Sequence, residues 1–177
     1  MIFKSFTLGN LRNNCYVVAD EFTNEAAIID APEHPEEIID YIKQSGFTVD
    51  YILLTHHHFD HVDGLSALQK AFPEAKVTQQ SANIGMIDIQ SIPTPGHTKD
   101  GVSFYISHEQ TLFSGDTLFF ETIGRTDLED SDHAEELASI SERLFALPEH
   151  TKVYPGHGKS TTIEWEKAHN PYMVPDS

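Results

Sequence analysis

Residues 55–61 read Thr-His-His-His-Phe-Asp-His and follow the apolar run Tyr51-Ile52-Leu53-Leu54. Four side chains of metal-binding type, His56, His58, Asp60 and His61, thus leave one expected strand within six residues. Imidazole nitrogen and carboxylate oxygen are ligands that zinc and other borderline divalent ions take. In an extended segment side chains alternate in direction, so His56 and His58 point one way and His57 the other. A turn after His58 lets Asp60 and His61 face a second point nearby. One short segment can therefore begin two metal sites.

Three further residues carry the same chemistry. His97 lies in Pro93-Thr94-Pro95-Gly96-His97-Thr98, Asp116 in Ser114-Gly115-Asp116-Thr117, and His157 in Tyr154-Pro155-Gly156-His157-Gly158. Each stands at a strand-to-loop transition next to Gly or Pro, which permit tight backbone approach or stiffen a turn. Groups on such loops can converge above a rigid scaffold. Two ligand sets follow: His56, His58, His97 and Asp116; and Asp60, His61, His157 and Asp116. A carboxylate has two oxygens, so Asp116 can serve both sets as a bridge. His34, His57, His108, His133, His150 and His169 lie outside the pattern and read as ordinary surface or core residues.

On these residues the chain resembles the metallo-β-lactamase superfamily, whose His-x-His-x-Asp-His signature and later His, Asp and His are matched in order. The resemblance runs from the first strands to Asn170-Pro171-Tyr172. Within the superfamily the chain is similar to the short glyoxalase II-like (hydroxyacylglutathione hydrolase-like) thioester hydrolases. Gly115-Asp116-Thr117-Leu118-Phe119, Gly124-Arg125-Thr126-Asp127 and Pro155-Gly156-His157-Gly158 carry that match. The resemblance implies a four-layer αββα sandwich, a layered α/β (α+β) class, with the metals at one edge of the sheets. It also implies two divalent metal ions, zinc first, with iron or manganese as alternatives. It marks Arg125 as a substrate-binding residue, because the glutathione-binding members place a basic residue there. Arg125 is equally suited to a structural pair with Asp127. Asp127 replaces the aromatic residue of the glutathione-binding members, and no C-terminal helical domain is expected.

The chemistry expected of such a site is hydrolysis. A hydroxide shared by two metals attacks a thioester carbonyl, one metal polarises the carbonyl oxygen, and the other stabilises the departing thiolate. Asp60 and Asp116 act as ligands that position the hydroxide. The substrate is a small thioester, glutathione-linked or otherwise. A competing reading is a persulfide dioxygenase-like oxidoreductase, in which His56, His97 and Asp116 bind a single iron. A lactonase and a non-catalytic metal-binding module are further alternatives. The β-lactamases lack the bridging carboxylate, and the flavodiiron branch carries Glu where this chain has His58.

The elements that must position these groups fit one domain, 1–177. Strands are predicted at 2–8, 15–19, 26–30, 51–54, 76–78, 86–90, 102–106, 111–114 and 152–154. Helices are predicted at 35–45, closed by Gly46, at 64–72, at 133–147 and from near Ser160. Asp132 and Glu135 suit a capping box, and Leu137, Ile140, Leu144 and Leu147 form an apolar stripe. Thr55 and Thr98 are placed to orient neighbouring ligands through their hydroxyls. Cys15 lies in an apolar run and reads as a buried thiol.

The formal net charge is −17, from 28 Asp and Glu against 11 Lys and Arg. Such a surface repels phosphate backbones, which argues against nucleic acid and anionic membranes as partners. No signal peptide or membrane-spanning run is evident, so a cytoplasmic location is expected.

Overall fold

The computed structural model describes residues 1–173. The chain forms two compact units, the first ending at Gln90 and the second beginning at Ser91.

In the first unit, β1 (Ile2–Leu8), β2 (Asn13–Ala19), β3 (Glu25–Ile29), β4 (Thr48–Leu53) and β5 (Lys76–Thr78) lie in sequence order in one sheet. β1, β2 and β3 pair antiparallel, whereas β3, β4 and β5 pair parallel. Parallel neighbours need a crossover. α1 (Glu36–Ser45) supplies the first; α2 (Phe59–Val62) and α3 (Leu65–Ala71) supply the second. α1 buries Ile38 and Ile42, and α3 buries Leu68, in one cluster with Val17, Ile28 and Ile52. Gly46 ends α1 in the left-handed conformation and donates to the carbonyls of Ile42 and Lys43. β2 starts at Asn13, two residues before the expected start, because Asn13 and Asn14 pair with Leu8 and Thr7. Cys15 is fully buried there and donates to the Asp30 carbonyl. A hairpin of β6 (Ala82–Ile84) and β7 (Ile87–Pro93) follows, turning at Gly85, and the division between units falls inside β7.

In the second unit, β8 (Val102–Ile106) and β9 (Thr111–Gly115) form a hairpin. A two-stranded ribbon of β10 (Leu118–Phe119) and β11 (Thr122–Ile123) comes next. The chain then enters α4 (His133–Ala138), which continues as a π-helical segment over Ser139–Leu144. β12 (Lys152–Pro155) returns parallel to β9, β13 (Thr161–Thr162) pairs with β12, and α5 (Ile163–His169) closes the described chain. Ile140 and Leu144 pack with Leu112, Val153 and Ile163 in the core of this unit.

β6, β10, β11 and β13 are two or three residues long, too short for a periodic pattern to reveal them. Pairing of Thr161 and Thr162 with β12 delays α5 to Ile163, and Thr162 then caps it by accepting from the Trp165 amide. Among the described residues, no helix is long and apolar enough to cross a membrane.

Candidate metal centre

The ligand loop of the first unit is built on Asp30, a residue the sequence reading passed over. Leu53 at the end of β4 accepts from the Asp30 amide at 2.8 Å, which brings the end of β3 beside the start of the His cluster. The buried Asp30 carboxylate then accepts from the Thr55 amide at 2.8 Å and from the Thr55 hydroxyl. Thr55 Oγ1 also lies 3.1 Å from His56 Nδ1, and Asp30 Oδ2 lies 2.8 Å from His61 Nδ1. The chain is extended at His58 and turns directly into α2, which carries Asp60 and His61. His56 and His61 are buried, His58 and Asp60 half-buried, and His57 is exposed on the other side. The His56 ring lies 4.8 Å from that of His58 and 4.0 Å from that of His61. Gly64 allows this packing. A Cβ there would stand 2.1 Å from the Pro32 carbonyl oxygen, and the Gly64 amide donates to Ala31 at 2.9 Å.

The second unit presents His97, Asp116 and His157. β9 and β12 are parallel with Gly115 opposite Pro155, so Asp116 and His157 leave the same sheet end. The Gly156 amide donates to the Gly115 carbonyl at 2.8 Å. Asp116 Oδ2 lies 3.8 Å from His97 Nε2 and 3.6 Å from His157 Nε2. His97 Nδ1 lies 2.9 Å from the Arg125 carbonyl oxygen. Gly124 makes room here, since a Cβ would stand 2.1 Å from the Asp116 carbonyl oxygen.

These contacts decide which ring nitrogens face the carboxylates. A carbonyl only accepts, so His97 Nδ1 carries the proton and Nε2 presents a lone pair. The Asp30 carboxylate imposes the same tautomer on His61. Metal-binding histidines are characteristically held this way through the second nitrogen. His61 Nε2 lies 3.7 Å from Asp60 Oδ2, so all three Nε2–carboxylate gaps exceed a hydrogen bond. They are near the separation of about 3.4 Å expected for two donors each about 2.1 Å from a tetrahedral ion. Such separations suit His and Asp donors that share a divalent cation.

The remaining candidates divide. Arg125 forms a bidentate pair with Asp127, at 2.7 and 2.8 Å, and both side chains are largely exposed. The hydrogen bonds between them, helped by the opposite charges, raise the Arg125 pKa and lower that of Asp127. The Thr98 hydroxyl is buried and finds no hydrogen-bond partner among the described residues, so the expected orienting role is not seen there. Glu136, which the sequence reading treated as part of a helix, is fully buried beside His97 and accepts from the His97 amide at 2.8 Å. Burial pushes its carboxyl up to about 8, the His97 and Gly124 amides pull the other way, and Asp116 adds to the rise. His157 also borders an open cavity of about 420 Å³ lined by Phe119, Phe120, Thr122, Ile123, Gly158 and Lys159.

The model of the metallo-β-lactamase superfamily matches residues 8–84 and 76–157. The chain belongs to the metallo-β-lactamase superfamily. Its similarity to a probable metallo-hydrolase of Bacillus subtilis, YqgX, is 31% identity over 98% of both chains. A probable hydroxyacylglutathione hydrolase of Schizosaccharomyces pombe is 32% identical over 84% of this chain and 65% of its own length. Among solved structures, the BLEG-1 B3 metallo-β-lactamase superposes with a TM-score of 0.91, at 34% identity, over 98% of this chain and all of that one. ETHE1 from Myxococcus xanthus gives 0.89 at 29% identity over 97% and 84% of the two chains. TTHA1623, solved in a di-iron-bound form, gives 0.83 at 30% identity over 96% and 99%. This member of the superfamily has its mixed α/β sheets and a set of His and Asp donors suited to divalent metals. It is a metal-dependent hydrolase of the superfamily.

Proposed function

We propose that the chain is a dinuclear thioesterase of the glyoxalase II type, with S-lactoylglutathione as the first candidate substrate. His56, His58, Asp60, His61, His97, Asp116 and His157 together hold two divalent ions in this reading, zinc first. The observation that carries it is the sharing of Asp116: one oxygen faces both His97 Nε2 at 3.8 Å and His157 Nε2 at 3.6 Å. A carboxylate set against two imidazoles suits a bridge better than a ligand of a single ion. Likeness to a hydroxyacylglutathione hydrolase and to a di-iron-bound structure supports the same choice.

Bound ions would supply Lewis acidity for the acyl carbonyl and a water activated at neutral pH. The protein's own part is positional. Asp30, Thr55 and the Arg125 carbonyl hold three imidazoles with Nε2 forward, so little reorganisation remains when substrate arrives. Phe119, Phe120 and Ile123 give the open cavity beside His157 an apolar wall against which a substrate chain can lie. The Lys159 ammonium lies 3.3 Å from the Phe120 ring centroid and supplies a cation at that wall for a carboxylate of the substrate. Arg125 is a second anion-binding candidate, and it would share its guanidinium with Asp127.

Hydrolysis of S-D-lactoylglutathione by metal-replete protein, with Asp116→Asn as control, tests the reading. Turnover lost in the variant supports it, and no turnover in the parent removes it. A β-lactam and a lactone belong in the same assay, given the name BLEG-1 carries. The ETHE1 likeness favours a second reading, a mononuclear-iron oxidoreductase using His56, His97 and Asp116. One iron per chain with oxygen uptake on a persulfide would select it.

A further inference from the structure

One stripe of the α4 helix and its π-helical continuation grips the segment that carries His97. The Asp132 amide donates to the Gly96 carbonyl at 2.7 Å. Ser139 Oγ donates to the Pro95 carbonyl at 2.7 Å, and Arg143 Nη1 donates to the Pro93 carbonyl. Glu136 Oε2 accepts from the His97 amide at 2.8 Å. Positions 132, 136, 139 and 143 step by four, three and four, which is one helix face. The adjacent stripe of Leu137, Ile140 and Leu144, one residue further on in each case, serves the core.

Glu136 stands apart from its three companions. It is the one that touches the ligand residue itself, and it is fully buried. Its second oxygen, Oε1, is buried against Gly124, where an added Cβ would stand 2.8 Å from it. Burying a carboxyl on these terms is costly, and an aliphatic side chain would avoid the cost. The loop also lies directly on the helix at this point. Gly96 has φ 146°, and a Cβ there would stand 2.3 Å from Glu136 Cα. Backbone contact fixes where the loop lies, and Glu136 fixes how the His97 peptide is turned.

We infer that Glu136 is a positioning residue for His97, orienting its peptide through the amide so that Nε2 faces Asp116. The inference rests on the proposal that His97 is a metal ligand. Its partner on the other side of His97 is the Arg125 carbonyl at Nδ1, so the residue is held at both backbone and ring.

The test uses Co²⁺ as the probe on the full chain, with Glu136→Leu, Glu136→Gln and His97→Ala variants. Affinity and the visible absorption spectrum are read together, and the metal-free thermal midpoint reports folding. Glu136→Leu is expected to weaken Co²⁺ binding by about 10–100-fold and to alter the spectrum, as loss of a group that orients a ligand does. Glu136→Gln keeps an oxygen for the His97 amide and is expected to restore most of the affinity. Glu136→Leu binding Co²⁺ like the parent, or Glu136→Gln binding no better than Glu136→Leu, would overturn the inference. His97→Ala separates the two levels: unchanged Co²⁺ binding there removes the ligand reading itself. Loss in His97→Ala with none in Glu136→Leu removes only the role of Glu136. Should Glu136→Leu fail to fold, hydrogen exchange at the His97 amide in the parent and Glu136→Gln proteins decides. A protected amide supports the bond, and a rapidly exchanging one refutes it.

Discussion

Asp30 does more than any other non-ligand to set the first ligand loop, because one carboxylate holds the Thr55 amide, the Thr55 hydroxyl and His61 Nδ1 at once. Asp30→Ala should lower metal affinity by about 10–100-fold while leaving every proposed ligand in place. Competition with a chromophoric chelator reads this directly, and unchanged affinity would remove the role. Asp116 and Arg125 should separate kinetically. Asp116→Asn removes a charge shared by two imidazoles and should abolish most of kcat. Arg125→Ala should act chiefly on KM, because its guanidinium is exposed and paired with Asp127. Steady-state kinetics on the thioester check the ranking, and the reverse order would count against the bridge. At this scale the ligand types were legible in the sequence, since His and Asp advertise their chemistry. Asp30 and Glu136 were not, because a single acidic residue in a chain with 28 carries no signal until its neighbours are known.

Among the elements, the parallel pair of β9 and β12 has the largest functional consequence. Its register sets Gly115 against Pro155, and the loops after both strands then deliver Asp116 and His157 together. In the first unit the same work falls to the turn between α2 and α3. Gly64→Ala would drive a Cβ into the Pro32 carbonyl, so the turn must move. Overpacking of this kind costs about 1–3 kcal/mol, which a lowered urea midpoint at unchanged m-value would register. An unshifted midpoint would show that the turn yields without cost. The longer helices and strands were predictable from period and punctuation, as with α1 between Pro35 and Gly46. The apolar stripe of the helix after Asp132 was equally plain. Its second, polar stripe was not, because hydrogen bonds to backbone carbonyls leave no hydrophobic period.

For the whole molecule the dominant quantity is the formal net charge of −17, to which Asp30, Asp60 and Asp116 contribute. Cations that bind only the folded state stabilise it by mass action. At free metal a hundredfold above Kd each site adds about 2.7 kcal/mol, and for a chain of this size that is a rise of several degrees in Tm. Chelation should reverse the rise, and a midpoint indifferent to verified metal removal would contradict the proposed centre. The sequence by itself determined the family, the ligand types and their order, because a metal demands particular donor atoms and those donors are named by the residues. It also fixed the main helices and strands, whose burial is periodic along the chain. Only the tertiary structure decided which nitrogen of each imidazole faces forward, which carboxylates stand behind the ligands, and that Arg125 is held by Asp127. Those outcomes depend on groups far apart in the chain meeting within hydrogen-bond distance, such as His97 with Glu136, and no local pattern encodes such a meeting.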